Sequence, residues 1–308
     1  MGAISYAEKF LPMLQEKYRL ESKSDFLTTP NSQIRFVDAK TIKVPEMKLG
    51  GYGSHTRGIG FNTSQLSTSY KAYTLGWDRD VELFVDPMDI DETNQVVSVA
   101  NIQNTFEEDV AIPERDKYRF SKLYQDVSSK NATAIDSTTK LTTSNILATF
   151  DAMMEKMDEA EVKEEGRRLV VTPTVYTMLK KAEGIQRTLE ASSAKNINRI
   201  VHSLDDVEII KVPSSRLKSK YADAGEGDEK AYTATSDAVQ IHMILVEPGA
   251  VIAVDKYAYI KVFTPGSDSR TADGYVYQNR KYGDLFLIEA KKDGVAIVAD
   301  APAADPEE

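Results

Sequence analysis

The 308-residue chain contains no cysteine. Disulfide staples, thiolate metal sites and cysteine nucleophiles are therefore excluded, and packing and hydrogen bonds must hold the fold. Histidine is scarce as well. His55, His202 and His242 are the three copies, in a glycine-rich stretch, in a loop or strand entry and on an apolar strand. Ser-His hydrolases need a histidine base oriented by an acid, and their GxSxG elbow does not occur here. His242 reads as a satisfied core residue. Basic side chains are outnumbered, 38 Lys and Arg against 48 Asp and Glu, for a formal charge of −10. A free-standing protein of that sign does not capture a phosphate backbone by charge. Long apolar runs are missing too: no eighteen consecutive residues are apolar, and MGAISYAEKFLPML lacks the basic region and apolar stretch of a secretory signal. The expectation is a cytoplasmic chain without membrane contact.

Glycine, by contrast, is concentrated in one place. LGGYGSHTRGIGF, from Leu49 to Phe61, holds five glycines in thirteen residues. A P-loop needs GxxxxGK[ST] between a strand and a helix, so that amides surround phosphates while Lys and the hydroxyl meet phosphate and magnesium. Gly53 and Gly58 have that gap, but Ile59 and Gly60 stand where Lys and Ser or Thr belong. The dinucleotide fingerprint fails because Thr56 replaces its third glycine and no helical pattern follows. A nucleotide-binding enzyme is the reading that stands or falls on this loop. The acidic run DPMDIDE, with Asp86, Asp89, Asp91 and Glu92, misses the alternate spacing and turn glycine of a calcium loop. It reads as a strand end leading into a capped helix. No catalytic, cofactor-binding or metal-ligating set is assigned.

Periodicity divides the chain. Residues 5–18 have helical spacing around Pro12, and TIKVPEM, SYKAYTL and DVELFVD read as strands, the first two separated by the glycine stretch. That is a long two-stranded excursion with a flexible tip. A helix capped at Asp91 or Thr93 should run to about Ala111, with Pro113 marking a break before a second helical piece, ERDKYRFSKLYQDV. From Leu141 helices and strands alternate: a helix through Phe150, Met153, Met154 and Met157, the strand RLVVT, and a helix with Thr172 as N-cap, Pro173 at its first position and Gly184 past its end. The methionines read as core packing. VEIIKVP and IHMILVEP follow as strands around a polar loop, residues 214–238, then YIKVFTPG, YVYQNRKYGDLFLIEA and GVAIVAD. The class is α+β, with a small α/β module inserted between strand-rich flanks.

Several motifs in order then resemble the major capsid protein family of tailed bacteriophages, whose shell fold encapsulins also use. They are GYGSHTRGIGF, YKAYTLGWDRDVELFVDPMDIDET and VAIPERDKYRFSKL, with KVFTPGSDSRTADGYVYQNRKYGDLFLIEAKKDGVAI near the end. The positions that carry the likeness include Arg57, Gly60, Phe61, Asp78, Arg79, Met88, Pro113, Glu114, Tyr118, Arg119 and Phe120, with one extra glycine before Gly60. The resemblance implies an N-terminal arm (1–40), an extended β-hairpin loop (41–85), a peripheral domain with a long spine helix (86–140) and an axial α/β domain (141–257). Closing strands (258–300) return to the peripheral domain, and the acidic tail 301–308 is disordered by composition.

That family reading implies a structural subunit, not an enzyme. It would self-assemble into pentamers and hexamers of an icosahedral shell around double-stranded DNA in the virion capsid, after assembly in the host cytoplasm. A separate scaffold protein, a portal and decoration proteins are implied partners, and no cofactor is. A two-stranded ribbon carrying Tyr70, Tyr73 and Trp77 is marginal alone, so those rings call for a partner surface. Arg57, Phe61, Tyr70, Tyr73, Trp77 and Arg79 are the candidate inter-subunit contacts. Some relatives join subunits by Lys–Asn isopeptide bonds; Lys43, Lys48 and Lys71 lie on the arm and Asn279 on a late strand, but no sequence feature aligns a buried Glu, so no crosslink is expected. An encapsulin-like cellular shell is the alternative.

Overall fold

The computed structural model describes residues 22–29, 35–36, 38, 40–55, 57, 62–86, 99–182, 201–225, 231–267 and 273–302. The helix expected over 5–18, the caps at Asp91 and Thr93, Gly184 and the end of the acidic tail lie outside them. The described residues form three antiparallel assemblies and a mixed sheet. Strand β1 (Arg35–Phe36) pairs with β2 (Thr41–Leu49), which pairs antiparallel with β3 (Leu66–Thr74). Strand β4 (Trp77–Val85) does not extend that hairpin. It pairs with β13 (Tyr275–Leu287), itself paired with β12 (Val251–Phe263). The excursion expected over 41–85 is therefore a hairpin of 41–74 followed by a sheet strand, because Leu75 and Gly76 redirect the chain.

The helix after residue 98 is long. α1 (Val99–Phe106) passes through a wide π turn, Glu107–Ala111, into α2 (Ile112–Lys130). Pro113 was expected to break it. Instead Phe106, Ala111 and Ile112 all keep right-handed helical dihedrals. Proline lacks an N–H and its ring crowds the carbonyl four residues back, and widening the preceding turn accommodates both defects without ending the helix.

The six-stranded sheet has the order β5–β14–β11–β6–β8–β7, from β5 (Ile135–Asp136), β14 (Val295–Ala299), β11 (Ile241–Val246), β6 (Arg168–Val171), β8 (Val207–Lys211) and β7 (Ser203–Leu204). Its central strands are apolar on both sides, and their period of two divides them between two cores. Val170, Ile244, Val246, Val295 and Ile297 face Phe120, Leu123 and Val127 of α2. Leu169, Val171, Met243, Leu245 and Val298 face α3 (Ile146–Glu159) and α4 (Pro173–Lys181). Met153 and Met157 are buried in that second core, which is the packing role the sequence predicts. β14 belongs to this sheet and not to the closing strands around β12 and β13, so the last strand returns to the middle module. The polar loop 214–238 contains a hairpin of its own, β9 (Tyr221–Ala224) and β10 (Ala231–Ala234).

Thr172 caps α4 as expected: its side chain accepts from Val175 N, with Pro173 following. Thr172→Ala is expected to cost about 1 kcal/mol in urea unfolding, with the slope unchanged. His242 is corrected. It lies half-buried where β11 and β14 slip register, and its Nε2 sits 2.9 Å from Asp300 Oδ1, outside the core.

Candidate functional site

The β2–β3 hairpin has two unlike faces, fixed by register. Ile42 opposes Tyr73 on one; Pro45 opposes Tyr70, Met47 opposes Thr68 and Leu49 opposes Leu66 on the other. Ile42 and Tyr73 are buried with Leu75, Ile252, Val254 and Phe286, the Tyr73 and Phe286 rings 5.1 Å apart. The opposite face is bare: Tyr70 is 61% exposed, Met47 63%, Leu66 63% and Leu49 72%. The signal was in TIKVPEMKL, which places apolar residues at both parities, so that both faces need cover.

At the tip, glycine serves close contact. A Cβ on Gly53 would meet Asn62 Nδ2 at 2.7 Å, and that same nitrogen donates to Ser54 O at 2.9 Å. Gly50 N donates to Gln65 O at 3.1 Å, continuing the ladder past the last strand pair. None of Gly50, Gly51 and Gly53 takes a positive φ. A Cβ on Gly50 would likewise meet the Ser64 side chain, whereas Gly51 faces open space.

The hairpin's root is pinned. Leu75 N donates to Lys40 O, and Gly76 N donates to Asp284 Oδ2 at 2.7 Å. The Tyr118 hydroxyl of α2 donates to Asp284 Oδ1, also 2.7 Å, and Trp77 stacks on Tyr118 with centroids 5.6 Å apart. Burial pushes the Asp284 carboxyl above its ordinary pKa, against those hydrogen bonds. Trp77 and Tyr73 are thus taken up inside the subunit, contrary to the expectation that they need a partner, because the root rests on β12, β13 and α2. Of the three rings, Tyr70 is left exposed. Arg79 forks within the subunit as well, Nη1 and Nη2 to Asp223 at 2.8 and 2.7 Å and Nε to Glu114 at 2.5 Å. Arg57 is exposed at the tip, and Phe61 lies outside the described residues.

Two polar joints that the sequence did not reveal fasten the helix. Arg119 Nη2 donates to both Asp255 oxygens at 2.9 Å, and Arg115 reaches Asp255 and Asp25. Burial pushes Asp255 up, but the two guanidiniums outweigh it and hold the carboxyl below its ordinary pKa. A carboxylate held low stabilises the native state above its unfolded pKa of about 3.9, and that contribution disappears as pH falls through the lower folded value. Asp255→Asn is expected to flatten the acid limb of unfolding below about pH 4. An unchanged acid limb would assign it to other carboxylates.

The second joint is at the π turn. Buried Glu107 accepts from Asn279 Nδ2 and from Lys281 Nζ, each at 2.5 Å. A buried glutamate does therefore stand beside Asn279, but the amide is only 4% exposed and its neighbouring lysine is on the same strand. Of the arm lysines, Lys71 pairs with Glu289 and Lys48 lies 3.7 Å from Glu46.

No family model and no curated protein matches the sequence. Solved structures do. The asymmetric unit of the bacteriophage PhiM1 mature capsid aligns over 86% of this chain and 83% of that one, with TM-score 0.58 and 14% identity. The capsid structure of cyanophage P-SCSP1u aligns over 87% and 85%, with TM-score 0.56 and 15% identity. The chain has the phage major capsid protein fold. A virus-like particle from Pyrococcus furiosus shares that capsid fold over 96% of this chain and 99% of its own, with TM-score 0.51 and 11% identity. At 11–15% identity the likeness is one of backbone topology and not of individual side-chain contacts.

Proposed function

We propose that the chain is the shell subunit of a tailed phage, assembling as pentamers and hexamers of an icosahedral capsid that encloses double-stranded DNA. In this reading 41–74 is the extended loop, the helix through Lys130 is the spine, and the six-stranded sheet with α3 and α4 is the axial domain. The observation that carries it is the bare apolar face of the hairpin. Four large side chains in two facing rows leave water only against another surface, and head-to-tail contact between unlike surfaces closes rings. Tyr70 and Arg57 remain candidate contacts between subunits, whereas Tyr73, Trp77 and Arg79 act through the root they stabilise. A net charge of −10 lets packaged DNA slide along the wall. Scaffold, portal and decoration proteins belong to the same proposal.

The experiment is expression alone and with its genomic neighbours, followed by sedimentation, negative-stain imaging and nuclease protection. Capsomers or closed shells of megadalton mass support the reading, and nuclease-protected DNA inside particles made with the neighbours supports the phage assignment. Monomers or dimers in both conditions would sink it. The likeness to the Pyrococcus particle favours a second reading, an encapsulin-like cellular shell, which protein cargo in place of DNA would establish.

A further inference from the structure

One end of the six-stranded sheet collects cations that the fold leaves unneutralised. Tyr176 of α4 is buried, its hydroxyl held at Val201, and Lys180 Nζ and Lys211 Nζ lie 4.7 and 4.6 Å from its ring centroid. Lys180 comes from the next turn of α4 and Lys211 from the last position of β8, while the exposed Lys181 follows Lys180 in the chain. Attraction to one ring holds two like charges close together, which strengthens their joint pull on an anion. Among the described residues no carboxylate pairs with any of the three, whereas Arg167, Arg168, Arg216 and Lys220 of the same module are each paired with an acid.

Acids that match them leave the fold at the same end. Asp300 N donates to Gln240 O, Thr172 N to His242 O and Val212 N to Val171 O, so β14, β11, β6 and β8 lie side by side here in that order. Three strand spacings, about 14 Å, separate the exit at Asp300 from Lys211. Beyond the exposed Ala301 and Pro302 the chain carries Asp305, Glu307 and Glu308. Five to eight residues of extended chain span about 17–26 Å, so these carboxylates reach the cluster within their own copy. We propose that the acidic tail seats on Lys180, Lys181 and Lys211 of the same copy and keeps the phosphates of duplex DNA off them. That DNA is the polyanion excluded rests on the shell-subunit reading; the seat itself does not. Each exposed pair alone is weak, but a short tether supplies the tail at an effective concentration on the order of millimolar. Covered in this way, the cluster does not interrupt the repulsion that a chain of net charge −10 presents to packaged DNA. Lys218, bridged to Gln240, lies nearer the exit and is the competing seat.

The test uses the full chain as dispersed subunits. Carbodiimide joins carboxylates to amines in contact without a spacer, and the digest is read by mass spectrometry; mixing ¹⁵N-labelled with unlabelled chain separates links within a copy from links between copies. We expect single-label links from Asp305, Glu307 or Glu308 to Lys180, Lys181 or Lys211, lost in about 0.5 M salt, where electrostatic reach falls to a few ångströms. A chain carrying Asp305→Asn, Glu307→Gln and Glu308→Gln keeps its length and loses the charges. Its three lysines should acetylate several-fold faster, and at low salt it should be retained on immobilised duplex DNA, unlike the unmodified chain. Adding Lys180→Gln and Lys211→Gln to that variant should abolish the retention. Links to Lys218 alone, mixed-label links or unchanged acetylation overturn the seat. Faster acetylation without DNA retention overturns the role assigned to it. Failure of the unmodified chain to form shells bears on the shell reading alone, since the links are read on subunits.

Discussion

Leu49→Asp combined with Leu66→Asp is expected to abolish particle formation while leaving the subunit's melting temperature unchanged. Both side chains are mostly exposed, 72% and 63%, and oppose each other on the bare face of the hairpin. Exposed substitutions away from caps and networks usually change stability by no more than about 0.5 kcal/mol. In an assembled contact each leucine contributes roughly 1.5–3 kcal/mol of burial, so the pair amounts to on the order of a hundredfold to ten-thousandfold in contact affinity. Ile42→Ala, on the opposite face and fully buried, is expected to do the reverse and cost about 2–5 kcal/mol of subunit stability. Sedimentation reads the first effect and calorimetry the second. Normal shells from the aspartate pair, or a large drop in its melting temperature, would show that the two faces are misassigned.

Asp116→Ala is expected to destabilise the subunit by about 3–5 kcal/mol. Asp116 is fully buried on the spine helix and gathers Ser22 Oγ at 2.9 Å, Lys23 N at 3.1 Å, Ser24 N at 3.2 Å, Ser24 Oγ at 2.7 Å and Arg216 Nη1 at 3.0 Å. Removing it strands the mostly buried Arg216 guanidinium and leaves the Ser24 N–H with its 3.3 Å bond to Ser22 Oγ, and unmet groups cost more than the net worth of the bonds themselves. The same loss removes the bonds of Ser22 and Lys23 to the helix, while Arg119 still holds Ser24 O, so proteases should cut on the N-terminal side of Ser24 sooner. Asp116→Asn, which keeps an acceptor oxygen, should lose distinctly less. Trp77, the single tryptophan, stacks on Tyr118 two residues along the same helix and reports unfolding by fluorescence. A measured loss under about 1 kcal/mol would mean that water replaces the carboxylate, as at an exposed pair.

Local rules read correctly where one element decides its own structure. Thr172-Pro173 marked a helix start because capping and the proline dihedral act within one turn. The apolar runs of β6, β11 and β14 marked buried strands because residues at both parities need cover. Pro113 misled because a proline defect has two outcomes, a broken helix or a widened turn, and the joint of Glu107 with Asn279 and Lys281, 172 and 174 residues away, accompanies the second. Tyr73 and Trp77 misled for a related reason. A ring on a hairpin looks exposed until a distant strand is known to pass beneath it.

The sequence by itself determined the α+β class, most strands, the helix capped by Thr172, the absence of cysteine and the mismatch of the glycine stretch with both phosphate-binding motifs. Its ordered motifs also carried the resemblance to capsid proteins, since linear order survives when identity has fallen to 14%. Only the tertiary structure decided which face of the hairpin is buried, that β4 leaves the hairpin for the β13 sheet, that β14 returns to the mixed sheet, and that Arg79 is satisfied within the subunit. Each of these depends on register or on pairing across long stretches of chain. A one-residue shift exchanges the faces of a strand while leaving its composition untouched.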